Sequence, residues 1–188
     1  MNIANRCIST AARLRAEKLL KELTLEEKVR QLGCTTLLSS DKIPEEKDLS
    51  GGLGAIALLD ICEEPEALAL RLRELQQYVM EHSPHHIPAL FHCEALGGPV
   101  VPNTVLYPNS IGLGATFDTA LVHDMADTIR KQMRAMGILH ALSPVLDVAK
   151  DLRWGRVNET YGGDPTLSAA MSCAYVQGLQ GDDLSTGV

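Results

Sequence analysis

Apolar residues fall into two patterns along the chain. In five stretches they recur at helical spacing. These are 9–22 (Ala12, Leu14, Ala16, Leu19 and Leu20, with Leu23 just beyond), 25–32 (Val29, Leu32), 65–81 (Leu68, Leu72, Leu75, Val79), 120–136 (Leu121, Met125, Ile129, Met133) and 165–179 (Leu167, Met171, Tyr175, Leu179). In three others, 52–59, 87–92 and 138–148, the apolar run is continuous, broken only near Pro144 in the last. Such runs read as strands buried on both faces. Helix punctuation agrees with the pattern. Thr24 and Glu27 form a capping box, Asp118 caps 120–136, Gly137 ends it, and Asp164-Pro165 opens the last helix. Residues 39–50, with Pro44, read as a polar loop, and 181–188 as a polar tail.

Two helices followed by three strand–helix units predict an α/β fold with a parallel sheet and right-handed crossovers. Three strands cannot close a barrel, since an eight-stranded one takes about 250 residues. The pattern therefore predicts either a small layered fold or the first part of something larger. There is no internal repeat and no low-complexity segment.

Composition narrows the function classes. A net charge of −7 argues against nucleic acid or an anionic membrane as the main partner. Five cysteines, Cys7, Cys34, Cys62, Cys93 and Cys173, form an odd set without CxxC spacing, which points to free thiols in a reducing compartment. Residues 1–17 lack an apolar signal core, and no run reaches the roughly 18 apolar residues of a membrane span. The expectation is a soluble, cytoplasmic protein.

Candidate chemistry sits just past the strand ends, where parallel α/β folds carry their sites. Glu94 follows the second predicted strand and Asp147 nears the end of the third. The next loop holds Lys150, Asp151, Arg153, the single tryptophan Trp154, Arg156 and Glu159. A carboxylate beside an arginine on one rim can hold a neutral polyol, because hydroxyls donate to carboxylates and accept from guanidinium. The competing reading has Arg156 pairing with Glu159 or Asp151 merely to tie down the loop. Trp154 could stack on a sugar face, though a lone tryptophan more often belongs to a core.

His82, His85, His86, His92, Cys93 and Glu94 invite a metal reading, but a strand length separates the first three from the rest, so no metal is expected. Gly51, Gly52 and Gly54 precede a strand, the wrong context for a phosphate loop. Ser143 has no evident base partner and there is no G-x-S-x-G. Glu94 and Asp147 could be offered as the two carboxyls of glycoside hydrolysis, but their spacing does not single them out. No cofactor is expected.

Several segments together resemble a known family. They are Thr24-Leu-Glu-Glu-Lys-Val-Arg-Gln-Leu32, Ile87-Pro-Ala-Leu-Phe-His-Cys-Glu-Ala-Leu96, Ile111-Gly-Leu-Gly-Ala-Thr-Phe-Asp118, the block from Ser143 to Pro165 with its Arg-Trp-Gly-Arg156, and Tyr175-Val-Gln-Gly-Leu-Gln-Gly181. In this order they resemble the N-terminal domain of family 3 glycoside hydrolases, of β-glucosidase and β-xylosidase type. The resemblance implies a partial TIM-type (β/α)8 barrel of about three β/α units plus N-terminal helices, with 1–188 truncated before the fourth strand. It implies that Glu94 and Arg156 bind hydroxyls of a terminal β-D-glucosyl or β-D-xylosyl unit in a retaining hydrolase. The family's Lys-His sugar-binding pair, nucleophile and acid/base would all lie beyond Val188. The isolated chain is accordingly expected not to turn over, the alternative being a non-catalytic sugar-binding or assembly module. Gly97 stands where histidine is frequent, Leu152 where proline is usual and Gly163 where glutamate is usual. Exposed sheet edges predict self-association.

Overall fold

A computed structural model of the chain describes residues 9–38 and 51–188; the expected loop over 39–50 and Cys7 lie outside them. The helices form where the periodicity puts them. Helix α1 is Thr10–Glu22 and α2 is Leu25–Arg30. Thr24 Oγ1 accepts from the Glu27 N–H (3.2 Å) while Glu27 Oε2 accepts from the Thr24 N–H (2.7 Å). Strand β1, Cys34–Leu37, and strand β2, Ala55–Leu58, precede helix α3, Pro65–His82. A 3-10 turn, Pro84–His86, leads to strand β3, Leu90–Cys93. Helices α4 (Ser110–Gly114) and α5 (Thr119–Met136) come next, then strand β4 (His140–Ala141) and helix α6 (Pro165–Gln180).

The strands form one parallel sheet in the order β1-β2-β3-β4. Parallel neighbours in chain order, with helices on the β2–β3 and β3–β4 crossovers, match the start of a TIM-type barrel. Two features depart from the pattern. Strand β1 was not expected: Cys-Thr-Thr-Leu is short, and its two threonines break any apolar run. Strand β4 is far shorter than 138–148. The Leu142 N–H still donates to the Cys93 carbonyl at 2.9 Å, but Pro144 has no N–H to continue the ladder and the chain leaves the sheet.

Alternation along the strands sorts the two faces. Ile56, Leu58, Phe91 and Cys93 are buried against α3 and α5. Helix α3 contributes Leu68, Leu72, Leu75 and Val79, the four positions its periodicity marks. Helix α5 contributes Val122, Met125, Ala126, Ile129, Met133 and Met136, whereas Leu121, expected on that stripe, is 48% exposed. A first-turn residue diverges from the buried arc as 3.6-residue turns accumulate. Helix α6 packs along α5 through Met171, Tyr175 and Leu179. Gly178 permits that approach, because a methyl there would lie 2.4 Å from the His123 carbonyl oxygen and 2.6 Å from Ala126 Cβ. The opposite face of the sheet carries Cys34, Thr36, Ala55, Ala57, Leu90, His92 and His140, none of them buried. No described helix is long and apolar enough to cross a membrane.

Candidate functional site

The C-terminal ends of the strands make one rim, and Glu94 stands on it, exposed, one residue past β3. Its backbone is held from two sides. The Ser143 hydroxyl donates to the Glu94 carbonyl, and the buried Tyr175 hydroxyl donates to the carbonyl of Ala95. Ala95 itself has φ 55, a left-handed conformation that alanine seldom takes. Strain of this kind persists where surrounding bonds over-determine it, as these do. Burial raises the Tyr175 phenol well above the usual tyrosine range, so it stays a donor.

Arg156 reaches the same rim from the loop between β4 and α6. That loop is anchored at its far end: Thr160 and Tyr161 are buried, the Ala149 N–H donates to the Gly162 carbonyl (3.0 Å), and Asp164 Oδ1 caps α6 by accepting from the Leu167 N–H (2.7 Å). Arg156 Nε and Nη2 both donate to Glu159 Oε2, at 2.9 and 2.6 Å. This bond and the Glu159 charge hold the guanidinium firmly protonated; Glu94 and Asp147 add to the effect and lie within electrostatic reach. Reciprocally, the Arg156 bond holds Glu159 below the usual carboxylate range. The rim thus gathers Glu94, Asp147, Arg156 and Glu159.

Of the two partners open to Arg156, the structure selects Glu159, while Asp151 takes Arg153 in a fork (Nε–Oδ1 3.0 Å, Nη2–Oδ2 2.6 Å). Loop-tying and rim placement therefore coexist in one side chain. Trp154 is not a core residue: it is 37% exposed and stands outside the apolar cluster. His82 and His86 donate from Nδ1 to backbone carbonyls of α3 (Tyr78, 2.8 Å; Met80, 2.7 Å), and His85 lies near Glu22 and Glu27, all at the other end of the sheet from Glu94. Among the described residues, no three His, Cys, Asp or Glu side chains are placed to hold a metal ion.

Asp60 escaped the sequence reading. It follows β2 as Glu94 follows β3, has φ 49, and shares with Glu94 an apolar cleft of about 430 Å³ lined also by Cys62, Val100 and Ile138. Its strand-end position was the available signal. A larger groove, about 990 Å³, runs between α3 and α5 at the opposite end of β3, beside Ala89, Met136 and Gly137. It is remote from the rim chemistry.

A model of the glycosyl hydrolase family 3 N terminal domain matches residues 24–188. The chain belongs to glycosyl hydrolase family 3. Among curated relatives, a putative β-xylosidase of Formosa agariphila is 30% identical over 92% of this chain and 24% of its own length. A periplasmic β-glucosidase/β-xylosidase of Dickeya chrysanthemi is 45% identical over 39% of this chain and 11% of its own. Among solved structures, a β-glucosidase of Erythrobacter marinus superposes with a TM-score of 0.83 at 30% identity, covering 96% of this chain and 24% of that one. A β-glucosidase of Listeria innocua in complex with glucose gives 0.74 at 26% identity, covering 89% and 24%. The chain thus spans about a quarter or less of the length of the curated relatives it matches.

Proposed function

We propose that this chain forms part of the glycosyl-binding rim of a retaining glycoside hydrolase acting on terminal β-D-glucosyl or β-D-xylosyl residues. The observation that carries the reading is Glu94 and Arg156 standing within electrostatic reach of one another past the ends of β3 and β4. A sugar hydroxyl between them donates its proton to the Glu94 carboxylate and accepts from the guanidinium. The Glu159 bond occupies Nε and Nη2 of Arg156, which leaves the Nη1 side for the sugar. The names β-glucosidase and β-xylosidase among the relatives support a neutral pyranose as the ligand.

Retaining hydrolysis needs a nucleophile and an acid/base flanking the scissile bond. Glu94 and Arg156 are binding groups in this reading, and the 188-residue chain alone does not turn over. Calorimetric titration of the chain with glucose and with xylose, alongside an aryl β-glucoside assay, tests it. The expected result is heat of binding that disappears in Arg156→Ala, with no aglycone released. Hydrolysis that survives Glu94→Gln would assign the roles wrongly.

We propose further that the chain self-associates through its sheet edges. In support, β4 presents an unpaired ladder side among the described residues. Light scattering at micromolar concentration is expected to report species larger than the monomer; a monodisperse monomer would overturn the proposal. A reducing compartment suits the four described cysteines, all of them free thiols.

A further inference from the structure

The open face of the sheet brings together three side chains that the sugar-binding reading leaves unused. Cys34 on β1 lies with its Sγ 3.3 Å from His92 Nε2 on β3, across the intervening strand. Register explains how. Cys34 pairs with Ala55 and His92 with Ala57, so the strand between presents only methyl groups. His140, the β4 partner of His92, sits beside it with ring centroids 5.6 Å apart. The second ring nitrogen of His92, Nδ1, is buried without a hydrogen-bond partner in the protein, so no carbonyl or carboxylate there commits the ring to one tautomer. Cys34 is exposed.

We propose that Cys34 is a nucleophilic thiol served by His92 as its base, and that the pair is a covalent modification site for small uncharged carbon electrophiles. A neutral imidazole at hydrogen-bond distance from a thiol is the arrangement that activates cysteine nucleophiles. Burial and the neighbouring His140 hold His92 below the usual imidazole range, and Glu94 opposes them; the ring is therefore neutral and able to accept a proton near neutrality. The titratable groups facing the pair are His140 from β4 and Glu94 past β3, β2 offers only Ala55 and Ala57, and the Thr35 carbonyl, 3.5 Å from Cys34 Sγ, is a second acceptor for the thiol. With a haloacetamide, the sulfur forms a bond to the methylene carbon, the carbon–halogen bond breaks, and halide leaves with the electron pair. The thiol proton passes to His92 Nε2 and on to water.

Two of the other described cysteines supply internal controls. Cys173 is exposed, and Cys93 is buried, its thiol pushed up to about 12 by burial and by Glu94. The experiment is timed alkylation of the reduced chain with iodoacetamide, at a dilution where light scattering reports the monomer, with each cysteine read by peptide mass spectrometry. Cys34 is expected to react at least about tenfold faster than Cys173. In His92→Asn the Cys34 rate should fall to that of Cys173; in His140→Ala most of the advantage should remain. Equal wild-type rates at Cys34 and Cys173 would overturn the proposal whether or not the variants fold, as would an advantage that survives in folded His92→Asn.

Discussion

Cys93 and Glu94 are adjacent in sequence and opposite in surroundings, because one closes a strand on the helix-covered face and the other opens onto the rim. Burial, followed by the Glu94 charge, pushes the Cys93 thiol from 9.0 up to about 12. A group raised in the folded state contributes its stability in full below its unfolded value and loses it as pH rises toward the folded one. Chain stability should therefore fall as pH climbs from about 9 to about 12, and Cys93→Ala should flatten the thiol's share of that slope in denaturant titrations. Tyr175→Phe deletes the buried phenol donor to the Ala95 carbonyl and leaves that carbonyl only the longer bond from the Gly98 N–H (3.3 Å). It is expected to cost about 1–2 kcal/mol in urea unfolding, and to weaken sugar binding by freeing the Glu94 backbone. Of the rim residues, Glu94 and Arg156 were legible from motif and strand-end position. The Cys34–His92 pair was not, because pairing across β2 depends on a register that no local pattern encodes.

At the scale of elements, long periodic helices were the most readable part of the chain. Helices α3, α5 and α6 each repeat an apolar position over several turns, and their caps at Asp118, Gly137 and Asp164 mark the ends. Strand β1 was hidden because four residues with two threonines carry no run, and β4 was overextended because an apolar loop residue, Val145, is buried without joining the ladder. The closest element contacts rest on glycines. A methyl at Gly54 would fall 1.8 Å from the Gln31 carbonyl oxygen, so the end of α2 would have to move away from the start of β2. Gly178→Ala would push α6 off α5, and overpacking of this kind costs about 1–3 kcal/mol. Thermal melting of Gly178→Ala is expected to show the loss, whereas Gly155→Ala, where nothing lies within 4 Å, should melt like the parent chain.

Taken together, the described residues form a parallel sheet with helices on one face and a second face left open among them, an arrangement that parallel sheets ordinarily cover. Its acid limb follows from carboxylates held low in the fold. Glu27 accepts from the Thr24 N–H, Asp127 is bonded by Lys131 and Arg130, and Asp183 accepts from the Ser185 N–H. Stability from groups depressed in this way is present above about pH 4 and is lost as pH falls through their folded values, so the melting temperature should decline on acidification below that point. The family, the fold and two rim residues were readable because the motifs are long and contiguous. The open face and its thiol–imidazole pair emerge only from the assembled strands.

The most direct measurement of the account is a double-mutant cycle on glucose affinity using Glu94→Gln, Arg156→Ala and the two together. If both side chains grip one glycosyl unit, each single change abolishes most of the binding and the double adds little further loss. Additive losses, or a wild-type affinity that neither change alters, would contradict it.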